Sequence, residues 1–338
     1  MKNQRNKSLD ILCGVLIVHM ISAHIFQNAK VDDCLFFHIQ ILLFFFFMPW
    51  FFFKNGMFFK YNTDKKVFVH KSFRRLMIPF FAWGGISMLF WFFKVAIGEH
   101  GDDWKWYIGS IKALPIVGTF ESCIPLWFLL SLFIVRVVYN SVCFSNILTW
   151  LLVIISVTVP FVFHCIGFDS LYSISHTLLG FFFFHWGYSL KERQYCNNIF
   201  AMATIICIAV AFYDPLYLEM VSNKQMIGNC YLLNFPYAIA AIIVFNNILS
   251  IYPPLHISNH SYSVVYQYLE SIGRNSMNYY VTHWILLLLI KIIMINILGL
   301  SYGWTMFWIM ITACVIILPL LSMLLNLPRF DTVMGRKK

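Results

Sequence analysis

The stretch from Ser8 to Gln27, SLDILCGVLIVHMISAHIFQ, decides how this chain is read. It has the roughly 20 mostly apolar residues that a helix needs to cross a bilayer, yet it carries Asp10, His19 and His24. Ionisable groups inside a spanning helix are costly and mark functional sites by default. Cys13 is three residues from Asp10, and His24 lies eleven residues further on. At about 3.6 residues per turn these three share one stripe, which continues to Gln27. His19, nine residues past Asp10, points to the other side. Asp10, Cys13 and His24 are therefore expected to face one cavity, and His19 a different environment.

The rest of the chain is of the same kind. Of its 338 residues 60% are hydrophobic, 19% aromatic and 11% charged, with a mean hydropathy of +0.75. A soluble domain carries about 25% charged residues, so a soluble enzyme with a single anchor is excluded. Apolar windows near the spanning length predict ten helices, at 9–27, 34–53, 76–97, 125–143, 147–166, 171–190, 199–218, 231–251, 277–298 and 303–326. The expected fold is all-α and polytopic, one integral membrane domain over 1–338 with no separate soluble domain. Lys2, Arg5 and Lys7 suit a signal peptide, but Asp10 and His19 interrupt the apolar region, so an uncleaved span is expected.

Alternate loops differ in charge. The N-terminus, 54–75, the junction of spans four and five, 191–198, 252–276 and the C-terminus hold 18 of the 24 Lys and Arg residues. The other set is acidic, with Asp32, Asp33, Glu99, Asp102, Asp103, Glu121, Asp169, Asp214 and Glu219. The positive-inside rule then puts both termini in the cytoplasm of an inner membrane. The net charge of +10 becomes a topology signal that calls for no nucleic acid. Nine cysteines are scattered without metal-ligand spacing, so no metal is expected. Cys34, Cys123, Cys165 and Cys230 fall near one membrane face, where the pattern allows a disulfide.

With the N-terminus inside, Asp10 sits at the cytoplasmic rim. His24 lies about 21 Å further along the axis, level with His38 at the start of the second span. Pro49 predicts a kink in the span 34–53, tolerable where neighbours satisfy the freed carbonyl. The cluster Lys54, Lys60, Lys65, Lys66, Lys71, Arg74 and Arg75 reads either as topology signal and anionic-lipid contact or as a site for the phosphates of a cytoplasmic donor. The arginine fork favours Arg74 and Arg75 for the second role. Trp104, Trp106 and Tyr107 in the loop 98–124 read as an interfacial belt or as a glycan contact. His164, His176 and His185 are expected to be structural. In the ninth span Ser276 and His283 are seven residues apart and stack on one face, beside the hydroxyls of Tyr280 and Thr282. Ser276 suits a helix cap. Lys291 reads as a buried charge that needs a partner.

Leu9-Asp10-Ile11-Leu12-Cys13-Gly14, with His24 following, resembles the opening of the membrane acyltransferase-3 family, integral membrane O-acyltransferases of bacterial surface polysaccharides. The likeness continues in Met48-Pro49, in Arg75-Leu76-Met77-Ile78-Pro79, in Leu126-Trp127-Phe128-Leu129 and in Gly273-Arg274 through Tyr280 to His283, in family order. The resemblance implies transfer of an acyl group, usually acetyl, from cytoplasmic acetyl-CoA to a hydroxyl of a surface glycan or its lipid-linked precursor. It implies His24 as base or transient acyl carrier, with Asp10 and His283 as further catalytic positions. Arg74, Arg75, Arg136, Arg274 and Ser276 are the expected donor contacts, and His38, Trp127 and Tyr280 the expected acceptor contacts. The expected partners are acyl-CoA, the glycan acceptor and membrane lipid. Three positions depart from the pattern: Cys13 stands where the family has Arg or Lys, Phe47 where many relatives have His, and Asn55 where they have Ser. A thioester on Cys13, a substitute cation among Arg74, Arg136 and Arg274, or lapsed catalysis each follow from the first. A flippase for a lipid-linked saccharide is the reading from another class, and needs neither acyl-CoA nor His24.

Overall fold

The opening stretch folds as the helix α1, Lys7–Ala29. The Asn6 side chain starts it by accepting the Leu9 amide at 3.3 Å. Lys30 ends it in the left-handed conformation, φ 54°, with its amide on the Phe26 and Gln27 carbonyls. The structure is a computed structural model that describes residues 6–96, 104–120, 122–168, 172–190, 197–213, 231–251 and 260–336. These residues are helical throughout, with no strand among them. After α1 come α2 (Leu35–Phe44), α3 (Phe47–Met57), α4 (Lys65–Ala96), α5 (Trp104–Val117), α6 (Trp127–Val142), α7 (Asn146–Cys165) and α8 (Tyr172–Leu190). Then follow α9 (Asn197–Tyr213), α10 (Tyr231–Ile251), α11 (His260–Arg274), α12 (Ser276–Ile292) and α13 (Trp304–Leu325). The expected all-α membrane fold is what forms.

Two compact units divide the chain, one built on residues 1–48, 194–221 and 228–324, the other on 49–193, 222–227 and 325–338. The first unit is organised by α1 and α11. A methyl placed on Gly14 would stand 2.0 Å from the Leu269 carbonyl oxygen, and one on Gly273 would stand 1.8 Å from that of Asp10. The two backbones therefore touch, the close approach that small residues permit between helices. This corrects the reading of 252–276 as a loop. The segment hid its helix because it is short and polar on one side: Ile272 and Gly273 are buried, while Gln267 and Ser271 face outward.

The second predicted span forms one membrane-crossing stretch, Leu35–Met57, interrupted ahead of Pro49. It breaks between α2 and α3 at Phe45–Phe46, and Phe45 is the residue whose carbonyl an amide at position 49 would have bonded in a continuous helix. The Tyr237 hydroxyl, from α10, donates to the Leu42 carbonyl, one of the four that the end of α2 leaves unpaired.

In the second unit Phe59 packs against Phe68, Tyr139, Phe184 and Tyr188 at ring separations of 5.3–5.8 Å. Close backbone approach recurs where α3 meets α8, since a methyl on Gly56 or Gly187 would stand 2.0 Å from the carbonyl oxygen of Phe184 or Phe53. Among the described residues eight helices are long and apolar enough to cross a membrane. The sixth and seventh predicted spans form the helices α8 and α9 but are not among those eight: α8 is diluted by His176 and His185, and α9 is described over only 17 residues. Cys34, Cys123 and Cys165 are free thiols. Cys230, Glu99, Asp102, Asp103, Glu121, Asp169, Asp214, Glu219 and Lys224 lie outside the described residues.

The helix contact gives a test. In an open helical position Gly→Ala is favourable by about 1 kcal/mol, and Gly85, with nothing within 4 Å of an added methyl, is such a position. Gly85→Ala should hold or raise the thermal midpoint of the solubilised protein. Gly273→Ala should lower stability by about 1–3 kcal/mol, the usual penalty of overpacking.

Candidate functional site

Pairs of polar residues join α1 to the α11–α12 segment at two levels. At the start of α1, the Arg274 Nε lies 3.9 Å from the Asp10 carboxylate, whose side chain is 5% exposed. Arg274 also bonds the Glu270 carboxylate one turn earlier. The acid sits in the first turn of its helix and the base in the last turn of its own, where each helix dipole favours that charge. The Asp10–Gly14 end of the α1 stripe is thus a packing face, and Cys13, 1% exposed, is buried with it.

At the second level His24 and His283 stack, ring centroids 5.4 Å apart and planes 22° apart. Trp284 stands edge-on to His24 at 5.1 Å. His283 Nδ1 is 2.8 Å from the Tyr280 carbonyl and 3.1 Å from that of Tyr279. Carbonyls only accept, so Nδ1 carries the proton and Nε2 presents a lone pair. That Nε2 is buried with no hydrogen-bond partner among the described residues. His24 Nδ1 faces the Gln27 side-chain oxygen at 3.4 Å, and Asn28 binds the His24 carbonyl at 2.8 Å. Tyr280 is buried with its ring 6.2 Å from that of His283. Asn278 ties α12 to α13 through the Ser322 carbonyl and hydroxyl, both at 3.1 Å.

His19 faces elsewhere, as its position on the helix predicts. Gln40 donates to the His19 carbonyl at 3.2 Å, and the same amide nitrogen lies 3.1 Å from His19 Nδ1. Ser22 donates to the Gln40 oxygen at 3.1 Å. Nδ1 therefore accepts, and His19 holds its proton on Nε2.

The other candidate residues are dispersed. His38 is half-buried, and its ring contact is with Phe37 rather than His24. Ser276 does not cap α12: Asn275 occupies that position, and its side chain bonds back to the Ser271 carbonyl at 2.9 Å. Lys291 is half-buried in the last turn of α12, within the membrane-crossing stretch Ser276–Ile297, with its Nζ 5.5 Å from the centre of the Tyr302 ring. In the second unit Arg75 is exposed, Arg74 is half-buried, and the Arg136 guanidinium lies 5.7 Å from the centre of the Phe68 ring. Trp127, also in that unit, is buried with its ring 4.8 Å from that of His176.

Trp284, Glu270 and Gln40 are the site partners that sequence reasoning passed over, and Gln27 was placed on the stripe of His24 without a role. Gln27 and Glu270 were open to a search for neighbours at three- and four-residue spacing: Gln27 follows His24 by three, and Glu270 precedes Arg274 by four, whereas Trp284 reaches His24 from another helix. Gln40 reaches His19 from another helix, and nothing local announces it.

The chain matches the family described as the acyltransferase domain of acyltransferase-3 type over residues 6–325. No curated protein and no solved structure matches it. With the match running from Asn6, the cap of α1, to Leu325, the last residue of α13, the chain belongs to the membrane acyltransferase-3 family.

Proposed function

We propose that this membrane acyltransferase moves an acetyl group from cytoplasmic acetyl-CoA to a hydroxyl of a surface polysaccharide or its lipid-linked precursor, with His24 as the base. The observation that carries the reading is the His24–His283 stack, formed in the family's fold by the two histidines that belong to its motifs. His24 keeps 8% exposure and His283 none, so His24 is the ring an acceptor reaches. With its Nδ1 proton held on Gln27, Nε2 of His24 takes the proton of the acceptor hydroxyl. The hydroxyl oxygen attacks the thioester carbonyl, the carbon–sulfur bond breaks, and the proton passes on to the departing coenzyme A sulfur. His283 is a neutral neighbour for the imidazolium that forms, and its fixed tautomer holds the stack in register.

The charge distribution of the loops supports a cytoplasmic start of α1 in an inner membrane. Arg274 is engaged by two carboxylates, so the phosphates of the donor fall to Arg74 and Arg75, with Arg136 in support. Tyr280, His38 and Trp127 are acceptor contacts on the family's motif alone. The burial of Cys13 favours a small packing residue over an acyl carrier.

Protein in nanodiscs with acetyl-labelled acetyl-CoA tests the reading. His24→Ala should cut turnover by about 10²–10⁴-fold, the usual worth of a general base, while Cys13→Ala retains it. Acetyl-CoA that neither binds nor turns over with crude glycan acceptor would sink the enzyme reading in favour of a flippase.

Arg75→Ala should raise KM for acetyl-CoA with little change in kcat, because a phosphate contact binds ground state and transition state alike. An equal fall in kcat would place Arg75 at the reacting carbonyl instead.

A further inference from the structure

Residues that follow a last helix are loosely held unless something ties them down. The segment 326–336, beyond the residues matched to the family, is tied down twice. First, the Arg336 guanidinium reaches back to its start, donating from Nη1 to the Leu325 carbonyl at 3.0 Å and to the Asn326 side-chain oxygen at 2.9 Å. The loop so closed is wound on itself: the Arg336 amide donates to the Asp331 carbonyl at 2.7 Å, that of Met334 to Phe330 at 3.0 Å and that of Gly335 to Thr332 at 3.1 Å. Met334 is 3% exposed, although Arg329, Thr332 and Arg336 around it are open to solvent.

The second tie is to α4. A methyl placed on Gly335 would stand 2.0 Å from the Arg74 carbonyl oxygen and 3.0 Å from the Arg75 Cα, so the two backbones touch at those residues. Gly335 also has φ 64°, a left-handed conformation that strains any residue with a Cβ. The contact falls where α4 is locally weak. Pro79 lies inside that helix and has no amide for the carbonyl four residues back, which is that of Arg75. With a helical bond missing there, the placing of Arg74 and Arg75 depends on what packs against them.

We propose that the segment 326–336 is a clasp that positions Arg74 and Arg75 for the phosphates of the donor, with Gly335 as its point of contact. Arg74 is half-buried and Arg75 exposed, so both guanidinium groups take their direction from the backbone beneath them. An arginine fork binds phosphate through two parallel bonds and demands that direction. Loosening the clasp weakens donor binding and leaves the transfer step alone. The donor role rests on the acyl-transfer reading; the clasp itself does not.

Hydrogen exchange and acetyl-CoA kinetics on protein in nanodiscs test the two parts. In Gly335→Ala, exchange over 72–78 and 327–336 should quicken. KM for acetyl-CoA should rise about tenfold, the worth of one hydrogen bond to a charged group, with kcat nearly unchanged. Arg336→Met, which opens the clasp away from α4, should do the same, and Arg336→Lys should keep part of the affinity. Gly167→Ala is the control: with φ 65° and nothing within 4 Å of an added methyl, it carries the strain without the contact and should move neither quantity. Where Arg74→Ala and Arg75→Ala are already present, Gly335→Ala should raise KM no further. Unchanged exchange over 72–78 in Gly335→Ala overturns the clasp. Faster exchange with an unchanged KM, or an undiminished rise in KM without the two arginines, overturns the positioning role. A wild type whose exchange shows the clasp but which never consumes acetyl-CoA defeats the acyl-transfer reading, and the donor role with it, and leaves the clasp standing.

Discussion

The backbone contact between α1 and α11 is the constraint on which the first unit depends. Gly14 and Gly273 bring the two helices to van der Waals distance at the level of Asp10. Only Asn275 separates α11 from α12, so the height of α12 against α1 is inherited from that contact. The Asp10–Arg274 pair, where α11 ends, and the His24–His283 stack, on α12, then follow in order along α1. A displacement by one residue would move a helical side chain by about 1.5 Å along the axis and 100° around it, enough to separate the two imidazoles. Two glycines thus set the register of a site about three turns away.

This explains what could be read in advance. The stripe holding Asp10 and His24, and the opposite face of His19, follow from helical period alone, and so does the placing of His283 over Ser276. The membrane class follows from composition, because no soluble core needs so many apolar windows. Three features were hidden for physical reasons. The helix α11 has no apolar window of spanning length, since it packs one face on α1 and leaves polar residues on the other. The break at Phe45–Phe46 falls one turn before Pro49, because the missing amide affects the carbonyl four residues back. Arg274 was legible as a cation, but its engagement by Asp10 depends on the approach of two helices far apart in sequence.

The abundance of phenylalanine has a packing explanation in the second unit. Phe59 touches four aromatic rings, and Phe52, Phe53, Phe183 and Phe184 are fully buried. A membrane interior gains little from burying apolar surface as such, so helices there associate through close van der Waals fit and a few hydrogen bonds. Edge-to-face rings fill space between helices and add a directional term of about 0.5–1.5 kcal/mol per pair. The glycines supply the complementary device: Gly56 and Gly187 let α3 and α8 touch, and the rings close the gaps that remain.

His19, His24 and His283 differ in how firmly their protons are placed. The Gln40 amide is oriented by the His19 carbonyl and by Ser22, so His19 keeps its proton on Nε2. Two backbone carbonyls keep that of His283 on Nδ1. Neither ring can exchange its tautomer without breaking a buried hydrogen bond. His24 is held only by the side chain of Gln27, at 3.4 Å, and a terminal amide can turn to offer either its oxygen or its nitrogen. As a base, His24 takes and returns its proton on Nε2 while Nδ1 keeps its own on Gln27. His283 also presents a free Nε2, but its ring is fully buried, whereas His24 keeps 8% exposure.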